Sequence, residues 1–209
     1  MHPDVLVKAL AAIVPKTTPE KFREAAGIAS RSVAKSVLDF LYSNNIGTIR
    51  GNSLEFSRSD RLYTAILAVK MGSDIEIVSA QLSWKDFERL ASEVLASFGY
   101  KTQTNVHLTK PHMEVDVIGV SSGFAVAVDC KHWKKSNLSS ISAISRKQAE
   151  RADRLPKWNT KISRAVPVVM TLHTQSVKFA GAVPVVPVHK FRSFVMDVKA
   201  FLPEIYVAD

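Results

Sequence analysis

The apolar positions of the first eighty residues recur at helical spacing, interrupted by turn signals. Residues 3–14 read as one helix. Thr18 followed by Pro19 is an N-cap with proline at the first helical position, and this second helix runs to Ala26. Gly27-Ile28-Ala29 turns the chain, and Ser30 caps a third helix reaching about Tyr42. Val33, Val37, Leu38 and Leu41 define its core face, leaving Arg31, Ser32, Lys35 and Asp39 mostly exposed. The pattern then changes. Residues 47–50 and 53–56, joined by Gly51-Asn52, read as two strands. Residues 60–71 and 74–80 return to helical spacing on either side of Gly72-Ser73.

The second part of the chain mixes both periods. Ser83 is an N-cap, Asp86 suits the positive end of the helix dipole, and Trp84, Phe87, Ala91, Val94, Leu95 and Phe98 form an apolar arc that Gly99 stops. Glu88 falls inside that arc and Glu93 opposite it. Residues 114–119 and 124–131 read as strands around a Ser121-Ser122-Gly123 turn. Residues 139–155 form a helix ended by Pro156, with Ile141, Ile144, Ala152 and Leu155 as its buried stripe and Gln148 within it. Segments 164–172 and 183–188 are β-rich, and Pro167, Pro184 and Pro187 suggest edge positions or strand ends. Residues 189–202 read as a closing helix with Phe191, Phe194, Val195, Val198 and Phe201 inward. The expected domains are 1–73, a helical connector over 74–81, and an α/β unit over 82–209, a mixed sheet flanked by helices.

Chemistry enters at the 114–131 hairpin. Side chains two apart on a strand share a face, so Glu114 and Asp116 point one way and Asp129 and Lys131 point one way. Charges at the ends of apolar strands need a partner or a cation. Carboxylates beside a lysine suit a hard cation such as magnesium with a water to be activated; an ordinary ion pair is the simpler alternative. Glu88, a carboxylate on a buried helix face, also needs a partner, which the strand site can supply.

The run Leu82-Ser-Trp-Lys-Asp-Phe-Glu88, then Phe98-Gly-Tyr100, Glu114-Val-Asp116 and Asp129-Cys-Lys131 resembles the catalytic domain of Mrr-type restriction endonucleases, and is similar to archaeal Holliday-junction resolvases. Both belong to the PD-(D/E)xK nuclease superfamily. The resemblance covers roughly residues 82–158 and implies a restriction-endonuclease-like fold, DNA as partner, and phosphodiester hydrolysis. It implies that Asp116 and Asp129 hold Mg2+ (or Mn2+) with the Cys130 backbone carbonyl. Lys131 would then orient the attacking water and stabilise charge on the phosphate. Glu88 would be an outer carboxylate or hold a second ion, and Gln148 half of a Gln-x-x-x-Tyr element whose fourth position here is Ala152. Read from the residues alone, Gln148 is equally a satisfied buried amide. The segment Leu108-Thr-Lys-Pro-His-Met113 departs from the glycine-rich stretch of many relatives, and Asp129 stands where many have Glu or Gln.

Charge supports a polyanionic partner. The net charge is +9, with 10 basic against 8 acidic residues in 1–80 and 18 against 11 in 81–209. Lys134 and Lys135 follow the acid-x-Lys strand. Lys147, Arg151 and Arg154 form a helix face that is either solvated or in contact with phosphate. The order of three helices and a hairpin at the start of the chain resembles a winged helix, a module that binds DNA or another protein. Read as a DNA binder, it presents Arg31, Lys35 and Arg50 as contacts. Cys130 stands alone, which excludes an internal disulfide, and it reads as a buried thiol. The six histidines show no ligand spacing, although His112 and His132 flank the proposed site. No apolar run reaches membrane-spanning length and the first residues do not read as a signal peptide, so a cytoplasmic protein without membrane contact is expected; a homodimer is expected as its assembly.

Overall fold

The computed structural model describes all residues except Asn52, Arg58, Lys110, Pro111 and 132–135. The chain divides into two compact units, Met1–Ser83 and Trp84–Asp209. In the first, helix α1 spans Pro3–Ala9 and tightens into a 3-10 turn over Leu10–Ala12, so the single helix expected for 3–14 ends early. A short strand β1 (Lys16–Thr17) precedes α2 (Pro19–Ala25) and α3 (Arg31–Ser43). The expected caps form: the Lys21 N–H donates to Thr18 Oγ1 at 3.3 Å, and the Val33 N–H donates to Ser30 Oγ at 3.4 Å. Strands β2 (Thr48–Arg50) and β3 (Ser53–Glu55) make an antiparallel hairpin, and β1 adds to it in the order β1-β3-β2.

The core of this unit gathers Leu6, Leu10, Phe22, Leu41 and Leu54. Helix α3 is rotated slightly from the expected face. Val33 is 42% exposed and the buried positions are Ala34, Val37, Leu38 and Leu41. Helix α4 (Asp60–Lys70) is tied to the hairpin by its first residue: Asp60 Oδ2 accepts the N–H groups of Gly47 and Ser57 at 3.0 and 2.8 Å. Helix α5 (Ile75–Ala80), capped by Asp74, lies inside this unit, so residues 74–81 form part of it.

The second unit contains α6 (Trp84–Ser97), β4 (Lys101–Leu108), β5 (Met113–Ser121), β6 (Phe124–Lys131), α7 (Leu138–Trp158), β7 (Arg164–Thr171), β8 (Phe179–Ala180), β9 (Val183–Pro187) and α8 (Val188–Asp197). The strand order is β4-β5-β6-β7-β9-β8. β4, β5 and β6 run antiparallel, β6, β7 and β9 parallel, and β8 antiparallel to β9. The parallel step needs a crossover, and α7 supplies it between β6 and β7. Residues 124–129 of β6 are all buried, as a central strand covered on both faces requires. The two covering layers can be read at adjacent residues. Ile118 joins a cluster with Ala152 and Leu155 of α7, whereas a Cβ on Gly119 would meet Leu95 of α6.

Several expectations change here. β4 escapes the sequence pattern because its first residues, 101–105, are polar and mostly exposed. Trp84 is 57% exposed at the first position of α6, where Lys85 Nζ stands 5.4 Å from its ring centre. Pro156 lies within α7: the helix continues to Trp158 and the Asn159 N–H still reaches the Leu155 carbonyl at 2.9 Å, so only one backbone bond is forfeited. Pro167 sits in the inner strand β7, opposite Ala127. Amide directions alternate along a strand, so its nitrogen points the way of the Ala165 N–H, which bonds Ala208. The β7–β9 ladder begins only at Val169, and Pro167 therefore breaks no ladder bond. No helix among the described residues is long and apolar enough to cross a membrane.

Gly119 sets how closely α6 approaches the sheet. A Cβ there would stand 3.1 Å from Leu95 Cδ1 and 3.2 Å from Tyr100 Cβ. Gly119→Val is expected to destabilise the protein by about 1–3 kcal/mol through overpacking, measured as a lower urea midpoint at unchanged slope.

Candidate active site

The 113–131 hairpin brings the two aspartates together. Its last paired residues are Val117 and Val128, and one step further Asp116 stands across from Asp129. Cross-strand neighbours at such a position are side by side. The Cys130 N–H donates to Asp116 Oδ2 at 2.7 Å, which points that amide toward β5. Amide and carbonyl of one strand residue project to the same edge, so the Cys130 carbonyl is directed to the Asp116 side as well. Asp129 is 1% exposed. Two residues on, Lys131 Nζ lies 2.8 Å from Asp129 Oδ2.

Helix α7 closes the arrangement. Asn137 caps it, its Oδ1 accepting the Ser140 N–H at 2.8 Å, and the long stripe Ile141, Ser145, Gln148, Ala152, Leu155 is buried. Gln148 Nε2 donates to the Ala127 carbonyl at 2.9 Å, and its Oε1 accepts from Arg151 Nη1 at 3.0 Å. The same Nη1 donates to Asp129 Oδ1 at 2.6 Å. Arg151 is therefore no member of an exposed phosphate-contact face with Lys147 and Arg154: those two are exposed, and Arg151 turns inward to Asp129. Gln148 is a satisfied buried amide that holds Arg151. The signal for this was present, since 148 and 151 are three apart and share a helix face.

Glu88 comes from the other layer, on α6, and is 5% exposed; Glu93 is exposed. Burial lifts the Glu88 carboxyl to about 7, and Asp116 and Glu114 add to the rise while Lys131 and Lys85 oppose it. Asp116 is raised by burial first and then by the Asp129 charge, against the Cys130 amide, Lys131 and Arg151. The thiol of Cys130, a half-buried residue, is pushed well up by burial and by the surrounding carboxylates, which disfavours the thiolate form.

A hard cation fits this donor set in part. Asp129 Oδ2 is buried and has no hydrogen-bond donor; its contact with Lys131 is an ion pair without hydrogen-bond angles. Asp116 and Asp129 repel one another, a repulsion that a shared cation relieves. Among the described residues no three acidic, histidine or cysteine side chains gather closely enough to hold a metal together, so Glu88 does not complete a three-carboxylate cage. Two carboxylates and a carbonyl, completed by water, remain a sufficient set for magnesium.

The other expected residues are placed as follows. Lys134, Lys135 and His132 lie outside the described residues. The His112 ring stacks on His107 with centroids 5.7 Å apart. In the first unit, Arg31 Nε pairs with Glu20 at 3.1 Å and Arg50 Nε with Glu55 at 3.2 Å, while Lys35 is exposed. Arg31 and Lys35 line a groove of about 630 Å³ with Leu38, Tyr42, Ile49 and Leu54.

Glu88 gives a pH signature. A carboxyl raised from 4.5 to about 7 keeps a proton that the unfolded chain has released, so the metal-free fold loses stability as pH rises through that window and levels off above it. Glu88→Gln is expected to flatten this dependence and to exceed the wild type at pH 8 by on the order of 3 kcal/mol. Chemical denaturation from pH 4.5 to 8 with chelator present measures it.

Comparison with known proteins adds family to geometry. A restriction endonuclease family model, the Mrr catalytic domain, matches residues 79–152. An uncharacterized protein from Archaeoglobus fulgidus is 24% identical over 127 residues, covering 59% of this chain and 97% of its own length. The crystal structure of protein VC1899 from Vibrio cholerae aligns over 97% of this chain and 52% of its own, at 9% identity and a TM-score of 0.41; the present chain thus spans about half of that protein. The matched stretch holds Glu88, both aspartates, Lys131, Gln148 and Arg151 on a mixed six-stranded sheet flanked by helices. This is a restriction-endonuclease-like fold, and its residues 79–152 are similar to the Mrr-type restriction endonuclease catalytic domain.

Proposed function

We propose that this protein is a metal-dependent DNA endonuclease. The observation that carries the reading is the meeting of Asp116, Asp129 and Lys131 at the end of one hairpin, inside the segment that matches the restriction endonuclease family. Asp116, Asp129 and the Cys130 carbonyl would hold Mg2+ or Mn2+. When bound, such a cation supplies Lewis-acid activation of water and stabilisation of the pentacovalent phosphate. The protein's own groups do the rest. Lys131 places an ammonium beside the reacting phosphate oxygens, where negative charge develops. Asp129, held from both sides, keeps Lys131 in place. Glu88, half-protonated near neutral pH, is suited to accept a proton from water at the rim of the cluster or return it to the leaving oxygen. In the reaction a water oxygen bonds to phosphorus, one ester oxygen leaves, and the water proton passes to that oxygen or to solvent.

A second reading has a specific observation in its favour. Arg151 occupies Asp129 Oδ1 at 2.6 Å. A protein that keeps the nuclease fold, binds DNA and does not cut would neutralise its buried carboxylate in this way.

The first unit suits DNA recognition as a winged helix: α2, α3 and the β2–β3 hairpin follow in the required order, and Arg31 and Lys35 lie one turn apart on the exposed side of α3. The basic excess of 81–209 suits backbone contact, with Lys147 exposed. A homodimer would place two such sites on one duplex.

Purified protein incubated with plasmid, branched and single-stranded DNA, with magnesium, with manganese and with chelator, tests the reading. Cleavage is expected only with a divalent cation, and Asp129→Ala and Lys131→Ala are expected to abolish it while leaving DNA affinity within a few-fold, because phosphate contacts elsewhere carry binding. Equal nicking by wild type and Lys131→Ala would trace the activity to another site or another protein; affinity without cleavage under every condition would favour the second reading.

Recognition by the first unit is tested separately. Arg31→Ala combined with Lys35→Ala is expected to weaken DNA binding and to reduce the slope of log affinity against log salt by about 2. Gel-shift titrations at several salt concentrations measure it. An unchanged affinity and slope would assign this unit to protein docking.

A further inference from the structure

Arg151 is the residue that the functional reading leaves without a task. It is part-buried, its nearest polar partners are Gln148 Oε1 and Asp129 Oδ1, and both are reached by one nitrogen, Nη1. Gln148 is itself anchored, since its amide nitrogen is spent on the Ala127 carbonyl of β6. The chain of contacts therefore runs from the β6 backbone through Gln148 to the guanidinium and on to Asp129. Lys131 faces the other oxygen of the same carboxylate. Each oxygen of Asp129 thus has one protein cation against it.

We propose that Arg151 is a built-in counter-ion of the candidate metal site: it positions the Asp129 carboxylate and competes with a divalent cation for it. The proposal rests on the reading of Asp116 and Asp129 as the cation-binding pair. Two carboxylates side by side, Asp129 buried and Asp116 half-buried, repel one another, and a charge taken out of water needs a partner. Arg151 supplies that partner before any cation arrives, and Gln148 prevents it from leaving for solvent. The same arrangement lowers cation affinity. A cation at Asp129 shares the carboxylate with the guanidinium that Oδ1 already accepts from, and that fixed positive charge stands close to it whichever oxygen it ligates. Arg151 is a positioning residue in this scheme, acting on the reaction through Asp129.

Calorimetric titration of the metal-free protein with Mg2+ and with Mn2+, in the absence of DNA, tests this without reference to cleavage. Arg151→Met removes the charge and keeps an apolar stem. It is expected to bind the cation about 10-fold more tightly than wild type, since a positive charge close to the site is lost. Its melting temperature with chelator should be lower than that of wild type, and the rise on adding cation larger. Arg151→Lys keeps the charge and should stay close to wild-type affinity. Should Arg151→Met fail to fold, Arg151→Gln, which retains a donor for Asp129, carries the same comparison.

Wild type and Arg151→Met binding a cation equally would overturn the proposal and leave the nuclease reading intact. No binding by wild type but binding by Arg151→Met would support the proposal and overturn metal-dependent cleavage by the natural protein. No binding by either would overturn both.

Discussion

Asp129 lies at the end of a central strand, 1% exposed, in a layer covered on both faces. An ionised carboxylate in such a place costs several kcal/mol unless charge and hydrogen bonds compensate it. Much of the second unit's architecture follows from that cost. Lys131 must follow two residues later to reach the same carboxylate. Helix α7 must cross β6 in a register that brings Arg151 over Asp129, and the Gln148 bond to the Ala127 carbonyl pins that register. The helix carries its polar pair inside an otherwise apolar stripe, and a slip by one residue would bury neither Gln148 nor its partner correctly. Removing Asp129 would relieve the burden but leave two cations facing each other.

The cluster as a whole is close to electrical balance. Glu88, Asp116 and Asp129 stand against Lys131 and Arg151. With every group ionised the balance is negative by one charge, which favours a cation. With Glu88 protonated it is neutral. Because the Glu88 carboxyl is lifted to about 7, neutral pH lies at the boundary between these conditions. A group that exchanges its proton there can respond to the arrival of a cation or a phosphate by changing charge, at little free-energy cost. Geometry and proton affinity thus have a common origin: acids from both layers of the unit were crowded against one strand end.

The caps and periods that depend on neighbouring residues were legible. Thr18 and Ser30 cap as their sequence positions imply, and the Ser121-Ser122-Gly123 turn makes the hairpin that joins Asp116 to Asp129. What escaped depends on contacts distant in sequence. β4 is polar along its first half and is held by pairing with β5, so no alternation announced it. Val33 is exposed and Ala34 buried, a rotation of α3 by a fraction of its circumference that no single-helix pattern encodes. Pro167 looked like an edge residue and is one only locally, in the part of β7 before Val169 that β9 has not yet joined. Arg151 looked like a solvated cation because helix spacing reports direction only within the helix. That Asp129 waits at the end of its reach is a fact of β6.

The two units therefore hold arginines of different kinds. Arg31 and Arg50 pair with Glu20 and Glu55 at the surface, with side chains 81% and 76% exposed. Such pairs contribute about 0–1 kcal/mol and are screened by salt, so a phosphate can displace the carboxylate with little loss. The pairing leaves these residues open to exchange with a stronger anion. Arg151 is bound to a carboxylate that water does not reach, through a guanidinium that Gln148 also holds. Displacing it means finding a new partner for Asp129 in the same step. A cation bound at Asp129 meets that condition, and this separates charge that exchanges partners at the surface from charge held in the interior.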